Sequence, residues 1–274
     1  MQTINNIITA IFDALLAPFS SLPPVWGLVV VSILTGIVMV IIFKHTSNQK
    51  AIRAAKDKIS AGFLEVRLFK DDLGLMLDAQ KRILRANLTY MRHSFTPMLV
   101  MIVPVILILA QLGVRYQARP LRPGESALVK LKLSDRVDVI EEPLKVETSE
   151  GLRLETPILR IPAEHELDFR IGALVHGEHR ITLHIGDETF STPVIVSDRV
   201  QRVYSSNAQP AFMPLLLAPG QTPLPKNSAL EQISISLPSR EIELLGLRVN
   251  WLVLFFIASI IAGYSLKGVF RVEI

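Results

Sequence analysis

At 274 residues, half of them hydrophobic, with a mean hydropathy of +0.39 and a net charge of +4, the chain is too apolar for an ordinary soluble domain and too charged to lie wholly in a membrane. Its charge is unevenly placed: Lys44 to Ser94 carry eleven basic and five acidic residues, whereas Tyr116 to Leu247 carry fourteen basic and eighteen acidic. The high pI therefore describes one basic insert and gives no ground for specific nucleic-acid recognition. The absence of cysteine excludes a disulfide framework and a thiolate metal site.

Residues 1–22 place Ile4, Ile7, Ile8, Ile11, Leu15 and Phe19 on one helical stripe, with Asn5, Asn6, Thr9 and Asp13 elsewhere. This pattern predicts an amphipathic helix lying in a membrane interface. A signal peptide is the competing reading, but no Lys or Arg precedes the apolar part and no convincing cleavage site follows it. Pro18, Pro23 and Pro24 end the helix and redirect the chain.

Val25 to Phe43 is an uncharged apolar run, long enough to cross a hydrocarbon core of about 30 Å. Phe95 to Val114 is a second one, and Pro104 in its middle predicts a kink. The basic insert between them is cytoplasmic by the positive-inside rule, which puts the N-terminus outside. Within the insert, Ser47 is expected to cap an arm carrying Ile52, Ala55, Ile59 and Phe63 on one face. After a break near Asp71, Asp72 and Gly74, a second arm carries Leu73, Leu77, Leu84, Leu88 and Met91. Two such arms bury both stripes in an antiparallel coiled coil; a single bent helix on the membrane surface is the alternative.

From Tyr116 the apolar period becomes two. Ala127–Leu133, Leu144–Thr148, Leu152–Ile161, Leu167–Leu174, Arg180–Ile185 and Thr189–Val196 read as strands, the last two around a Gly186-Asp187 turn. A small immunoglobulin-like β-sandwich fits them better than a closed barrel. The Pro-rich stretch from Ser205 to Ser228 reads as an irregular connection, and Ile233–Leu237 resumes strand alternation. Val249 to Leu266 is a third span that returns the chain to the cytoplasm.

The expected fold class is thus membrane α-helical, with three transmembrane helices, a cytoplasmic helical hairpin and an extracytoplasmic all-β sandwich. The segments are an interfacial helix at 1–22, spans at 23–44, 95–115 and 248–267, and the hairpin at 45–94. The sandwich takes 116–204, its Pro-rich connection and final strand 205–247, and a cytoplasmic tail 268–274.

Catalytic chemistry finds little support, and neither cofactor nor metal is expected. His176, Glu178, His179 and His184 form the densest polar cluster, and three converging ligands there would suit zinc; the strand pattern instead makes residues 176–179 a polar turn. Ser47 and Lys50 have the Ser-x-x-Lys spacing of acyl-serine enzymes without a companion motif. No phosphate loop, His-Glu-x-x-His or Gly-x-Ser-x-Gly occurs. The informative polar residues lie inside the apolar runs. Either Ser32 and Thr35 satisfy their own i−4 carbonyls and Gln111 sits at an interface, or the three line a hydrated cavity open to the cytoplasm.

The order of external amphipathic helix, span, basic hairpin opening with SNQKAIRAAKDKI, second span entered through Pro97-Met98, and final span resembles the YidC/Oxa superfamily of membrane-protein insertases. It is most similar to the three-span branch, which includes archaeal YidC-like proteins and the insertase subunit of the endoplasmic reticulum membrane complex. The resemblance covers residues 1–115 and 248–274. It implies a non-enzymatic inner-membrane protein whose partners are the lipid bilayer and newly made membrane proteins, with the cytoplasmic basic hairpin of Lys44, Lys50, Arg53, Lys56 and Lys58 forming a coiled coil that captures ribosome or client. The chain departs from it in lacking an Arg in the first core span and in carrying a β-domain between the second and third spans. That domain offers a site for an envelope partner, and an adaptor without insertase activity is the second expectation.

Overall fold

A computed structural model describes residues 2–211, 218–244, 246–270 and 272–273, with the side chains of residues 2–5 left aside. The chain divides into two compact units, Met1–Gly27 with Leu107–Trp251, and Leu28–Ile106 with Leu252–Ile274. The described residues form α1 (Gln2–Leu16), α2 (Pro24–Thr46), α3 (Gln49–Leu68), α4 (Leu73–Tyr116) and α5 (Trp251–Phe270). Three of these, α2, α4 and α5, are long and apolar enough to cross a membrane, and most of each is left uncovered by protein.

In the second unit, small residues set the packing. Gly36 on α2 faces α5 so closely that a Cβ there would strike the Ser259 carbonyl oxygen and the Ala262 methyl; Gly263 in turn sits against Val40. Such close backbone approach lets two helices gain dispersion contacts along their whole facing backbones. The end of α2 is marked by Ser47, whose hydroxyl donates back to the Phe43 carbonyl at 2.6 Å. The cap of α3 is therefore Asn48 and not Ser47: the Asn48 side chain accepts from the Ala51 N–H at 3.1 Å. The chain then turns at Phe69–Asp72, where Asp72 accepts from the N–H groups of Gly74 and Leu75. It re-enters a helix of 44 residues whose assignment passes through Pro97 and Pro104 without a break.

The arms pair antiparallel, as Lys56 over the Tyr90 ring, Gly62 against Ile83 and the Glu65–Arg82 ion pair show: as one number rises, the other falls in step. Their seam differs from the one expected. Ile52, Ala55 and Gly62 on α3 and Ala79 and Ala86 on α4 are buried, whereas Phe63, Leu73, Leu77, Leu84, Leu88 and Met91 are exposed. α4 carries two apolar stripes, and the one with the smaller side chains faces α3, because Gly62 admits Ile83 only at close range.

The first unit holds α1, the end of α4 and the β-strands. β1 (Ser126–Leu133), β3 (Leu152–Leu154), β4 (Leu159–Ile161), β5 (Glu166–Ala173), β8 (Ser206–Ala208) and β9 (Leu230–Ile235) form one antiparallel sheet ordered β3-β5-β1-β9-β8, with β4 also on β5. β2 (Leu144–Thr148), β6 (Gly177–Ile185) and β7 (Glu188–Val196) form a second, and β10 (Ile242–Leu244) and β11 (Leu247–Val249) a short hairpin. Alternate residues of β1, β5, β9, β6 and β7, among them Val129, Phe169, Ile233, Leu183 and Val194, share one core. Three sequence expectations shift here. Leu152–Ile161 is two strands, because Pro157 lacks an N–H and interrupts the ladder. Residues 177–179 are part of β6 and not a turn, and β9 lies next to β1 within the main sheet. The β6–β7 hairpin closes on Gly186 with φ 54°, the positive value its first loop position needs.

Where the chain leaves α4, both ends of the β-region are tied together. The Arg119 N–H donates to the Pro238 carbonyl, Arg240 N–H to the Gln117 carbonyl, and Arg240 Nε to the Arg115 carbonyl at the helix end. Arg119 grips Glu125 through two bonds of 2.7 and 2.8 Å while the Arg122 N–H donates to the same carboxylate. The Arg119 bond, against the opposing effect of partial burial and with the help of Arg122, holds the Glu125 carboxyl down at about 2.

Two outcomes follow. Gly62→Leu should loosen the arms by about 1–3 kcal/mol, read as faster hydrogen exchange across residues 52–90 with the β-core unchanged. The Glu125 contribution, about 1 kcal/mol after solvent screening, should be complete above about pH 5 and vanish as the pH falls toward 2, because the folded carboxyl titrates below its ordinary 4.5. Thermal melts of Glu125→Gln should therefore differ from wild type at pH 7 and converge near pH 2.

Candidate functional site

Ser32 and Thr35 share a face of α2 and are both buried within the second unit. Neither hydroxyl proton is available: Ser32 Oγ donates to the Leu28 carbonyl at 2.7 Å and Thr35 Oγ1 to the Val31 carbonyl at 2.8 Å. Gln111 belongs to the other unit, where its Nε2 donates to Thr9 Oγ1. Of the basic residues on the hairpin, Lys44, Lys50, Arg53 and Lys58 are exposed. Arg53 and Lys56 lie 3.9 Å from the Glu273 carboxylate, and the Glu273 N–H donates to Gln49.

The face of α4 opposite the seam carries Leu84, Leu88, Met91 and Phe95 at helical spacings of four, three and four, and they are 62, 59, 60 and 55% exposed. The same stripe continues through Met98, Ile102 and Ile106 into the apolar run of the helix. Hairpin and candidate span thus present one uninterrupted apolar track with Arg82, Arg85 and Arg92 beside it.

In the first unit, α1 is turned against the usual rule for a helix in water. Its polar side faces protein: Thr9 is buried and accepts from Gln111 Nε2 at 2.8 Å, while Asp13 binds Arg115. Its apolar side, with Ile7 and Ile11 57 and 59% exposed, faces outward. Arg115 is only 3% exposed; its Nη1 donates to the Gln111 carbonyl at 2.7 Å and to Gln111 Oε1 at 3.1 Å, and its Nη2 donates to the Asp13 carboxylate. Arg202 reaches the other oxygen of Asp13 at 3.3 Å. Next to this cluster opens a cavity of about 420 Å³, bounded by Asp13, Arg115, Arg202, Tyr204, Glu178 and apolar side chains of β7 and β9. Gln111 is a bridge between α1 and Arg115. Sequence reasoning missed Asp13, Arg115 and Arg202 as a group, although a lone cation closing an apolar run and a lone acid on an amphipathic helix were both visible.

The histidines have separate partners. His179 Nε2 lies 2.7 Å from the Val175 carbonyl, His184 Nδ1 3.1 Å from Thr189 Oγ1, and His176 near Asp198. Among the described residues no group of three His, Asp or Glu converges as a metal site. The Ser47 hydroxyl is directed at Phe43 and accepts from Gln49.

The chain matches no protein-family model and none of the curated proteins. A solved structure, domains 4 and 5 of the S-layer protein SbsC, aligns at 18% identity and a TM-score of 0.24 over 29% of this chain. The aligned part is 47% of that chain, and a likeness so slight defines neither fold nor function here. The class is defined by the chain's own geometry: three helices long and apolar enough to span a membrane, combined with separate antiparallel β-sheets.

Removing the carboxylate from Asp13 leaves a buried guanidinium without its charged partner. Asp13→Ala should lower stability by about 2–4 kcal/mol, and adding Arg115→Met should recover most of it. Thermal unfolding of the two single variants and the double variant measures that coupling.

Proposed function

We propose that the chain is a membrane-protein insertion or assembly factor of the YidC/Oxa type, set in an inner membrane with its N-terminus outside and its C-terminus in the cytoplasm. The hairpin is the cytoplasmic part, α1 lies in the outer interface, and the β-strands form an extracytoplasmic immunoglobulin-like sandwich. The observation that carries this reading is the apolar track on α4. A newly made apolar segment leaving water gains by burying itself wherever an exposed apolar surface meets it, at about 25 cal/mol per Å². A track that begins at Leu84 and passes into the span lets that burial continue at each step toward the bilayer. The excess of basic residues in the hairpin supports its cytoplasmic placement and a contact with a ribosome.

A second reading has its own support. Ser32 and Thr35 are buried with their protons given to backbone carbonyls, as in a dry helix interface, and a dry interface suits an adaptor whose β-domain binds an envelope partner. Photo-crosslinkers at positions 84, 88 and 91, compared with 32, 35 and an exposed β-domain position such as 170, separate the two. With a ribosome-bound nascent chain of defined membrane protein in native vesicles, an insertion factor gives adducts at 84, 88 and 91 that track the position of the apolar client segment. Adducts absent from those three positions, together with a fixed partner captured at 170, would establish the adaptor.

A further inference from the structure

We propose that the cavity beside Asp13 and Arg115 is a headgroup site for a zwitterionic aminophospholipid, one in which a phosphodiester is joined to a primary ammonium. Its polar rim consists of two guanidinium groups, Arg115 and Arg202, and two carboxylates, Asp13 and Glu178. The formal charges cancel, so a purely anionic group has no net attraction to the rim, and a ligand carrying both signs has a partner for each. Arg115 is enclosed by Gln111 and Asp13. Arg202 is not enclosed in that way: its side chain is one-third exposed and one end binds Asp13. A guanidinium has five N–H donors in a planar fork that matches phosphate oxygens. Gly220, at φ +82°, leaves the space that Arg202 Nη1 occupies; a Cβ there would lie 2.9 Å from it. Glu178, at the start of β6, also bounds the cavity, is exposed and offers an acceptor for an ammonium.

A primary ammonium has N–H donors to give a carboxylate, whereas a quaternary one has none and is held by aromatic cages. Tyr204 is the one aromatic among the described residues bounding the cavity, and its hydroxyl is directed at the Pro219 carbonyl. Ethanolamine headgroups therefore fit and choline headgroups do not. The source of the headgroup is set by α1. The helix that supplies Asp13 turns Ile7 and Ile11 outward, and the cavity wall includes Val194, Ile235 and Leu237. On the membrane reading, the outward face of α1 lies in the bilayer interface, so a headgroup held by Asp13 on the opposite face of the same helix is within reach of a lipid, and a free phosphoester has no such neighbour. Its volume of about 420 Å³ is within the usual range for ligand sites, roughly 300–1,000 Å³. The proposal rests on the membrane reading of the three long helices and is independent of client insertion.

The test uses the full chain in nanodiscs with equal parts of phosphatidylethanolamine, phosphatidylglycerol and phosphatidylcholine, and native mass spectrometry of the lipids retained. Wild type should retain phosphatidylethanolamine about tenfold over either of the others. Arg202→Gln should abolish that retention, and Glu178→Gln should leave phosphatidylethanolamine and phosphatidylglycerol retained equally. Arg153→Gln, on the exposed edge strand β3, should behave as wild type. Equal retention of all three lipids by wild type, or unchanged retention in both cavity variants with melting temperatures intact, would overturn the proposal. Soluble glycerophosphoethanolamine at millimolar concentration should fail to displace the lipid; complete displacement would assign the cavity to a free phosphoester and overturn the lipid assignment.

Discussion

The burial of Arg115 is the constraint around which the first unit is arranged. A guanidinium at the end of an apolar helix cannot lose its water without several hydrogen bonds and an opposite charge, since the desolvation cost of an unpaired ion exceeds any packing gain. The carbonyl and side chain of Gln111 supply part of this from one turn back, and Asp13 supplies the charge from α1. That requirement fixes which side of α1 faces the protein: Thr9 and Asp13 turn inward, and the isoleucines are left outside. Arg202 then joins the same carboxylate, so the segment between β7 and β8 is held against the helices as well.

Small residues play the corresponding part in the second unit. Gly36 and Gly263 bring α2 and α5 together, and Gly62 brings the hairpin arms together with Ala55, Ala79 and Ala86 along the seam. Close approach excludes leucine from the contact and leaves the larger apolar side chains on the outside. The exposed track on α4 is thus a consequence of the tight seam: the surface proposed to receive client segments is left open because the hairpin closes on its smaller stripe.

In the β-region, the two sheets share one core while their short or proline-bearing margins limit pairing with other chains. β7 carries Pro193 and β2 carries Lys145 and Glu147, which discourage strand addition at the open edges of the three-stranded sheet. The Arg119–Glu125 pair and the backbone bonds of Gln117, Arg119 and Arg240 close the base of this region next to the helix end. The cavity beside Arg202 lies within the same unit, bounded by β7 and β9 on its apolar side.

Composition and period by themselves determined the three long apolar helices, the break at Asp72 and most of the strands. These depend on local properties: the length of an uncharged run, the 3.6 and 2.0 periods, and turn residues such as Gly186. Tertiary structure decided which of two apolar stripes on α4 forms the seam, because that depends on how closely Gly62 lets the arms approach. It also decided that β9 pairs with β1 across about a hundred intervening residues, a pairing between distant segments that no local pattern encodes. The cluster of Thr9, Asp13, Gln111, Arg115 and Arg202 was legible only as isolated polar residues. Its members come from three distant segments, and what joins them is the need of one buried charge for partners.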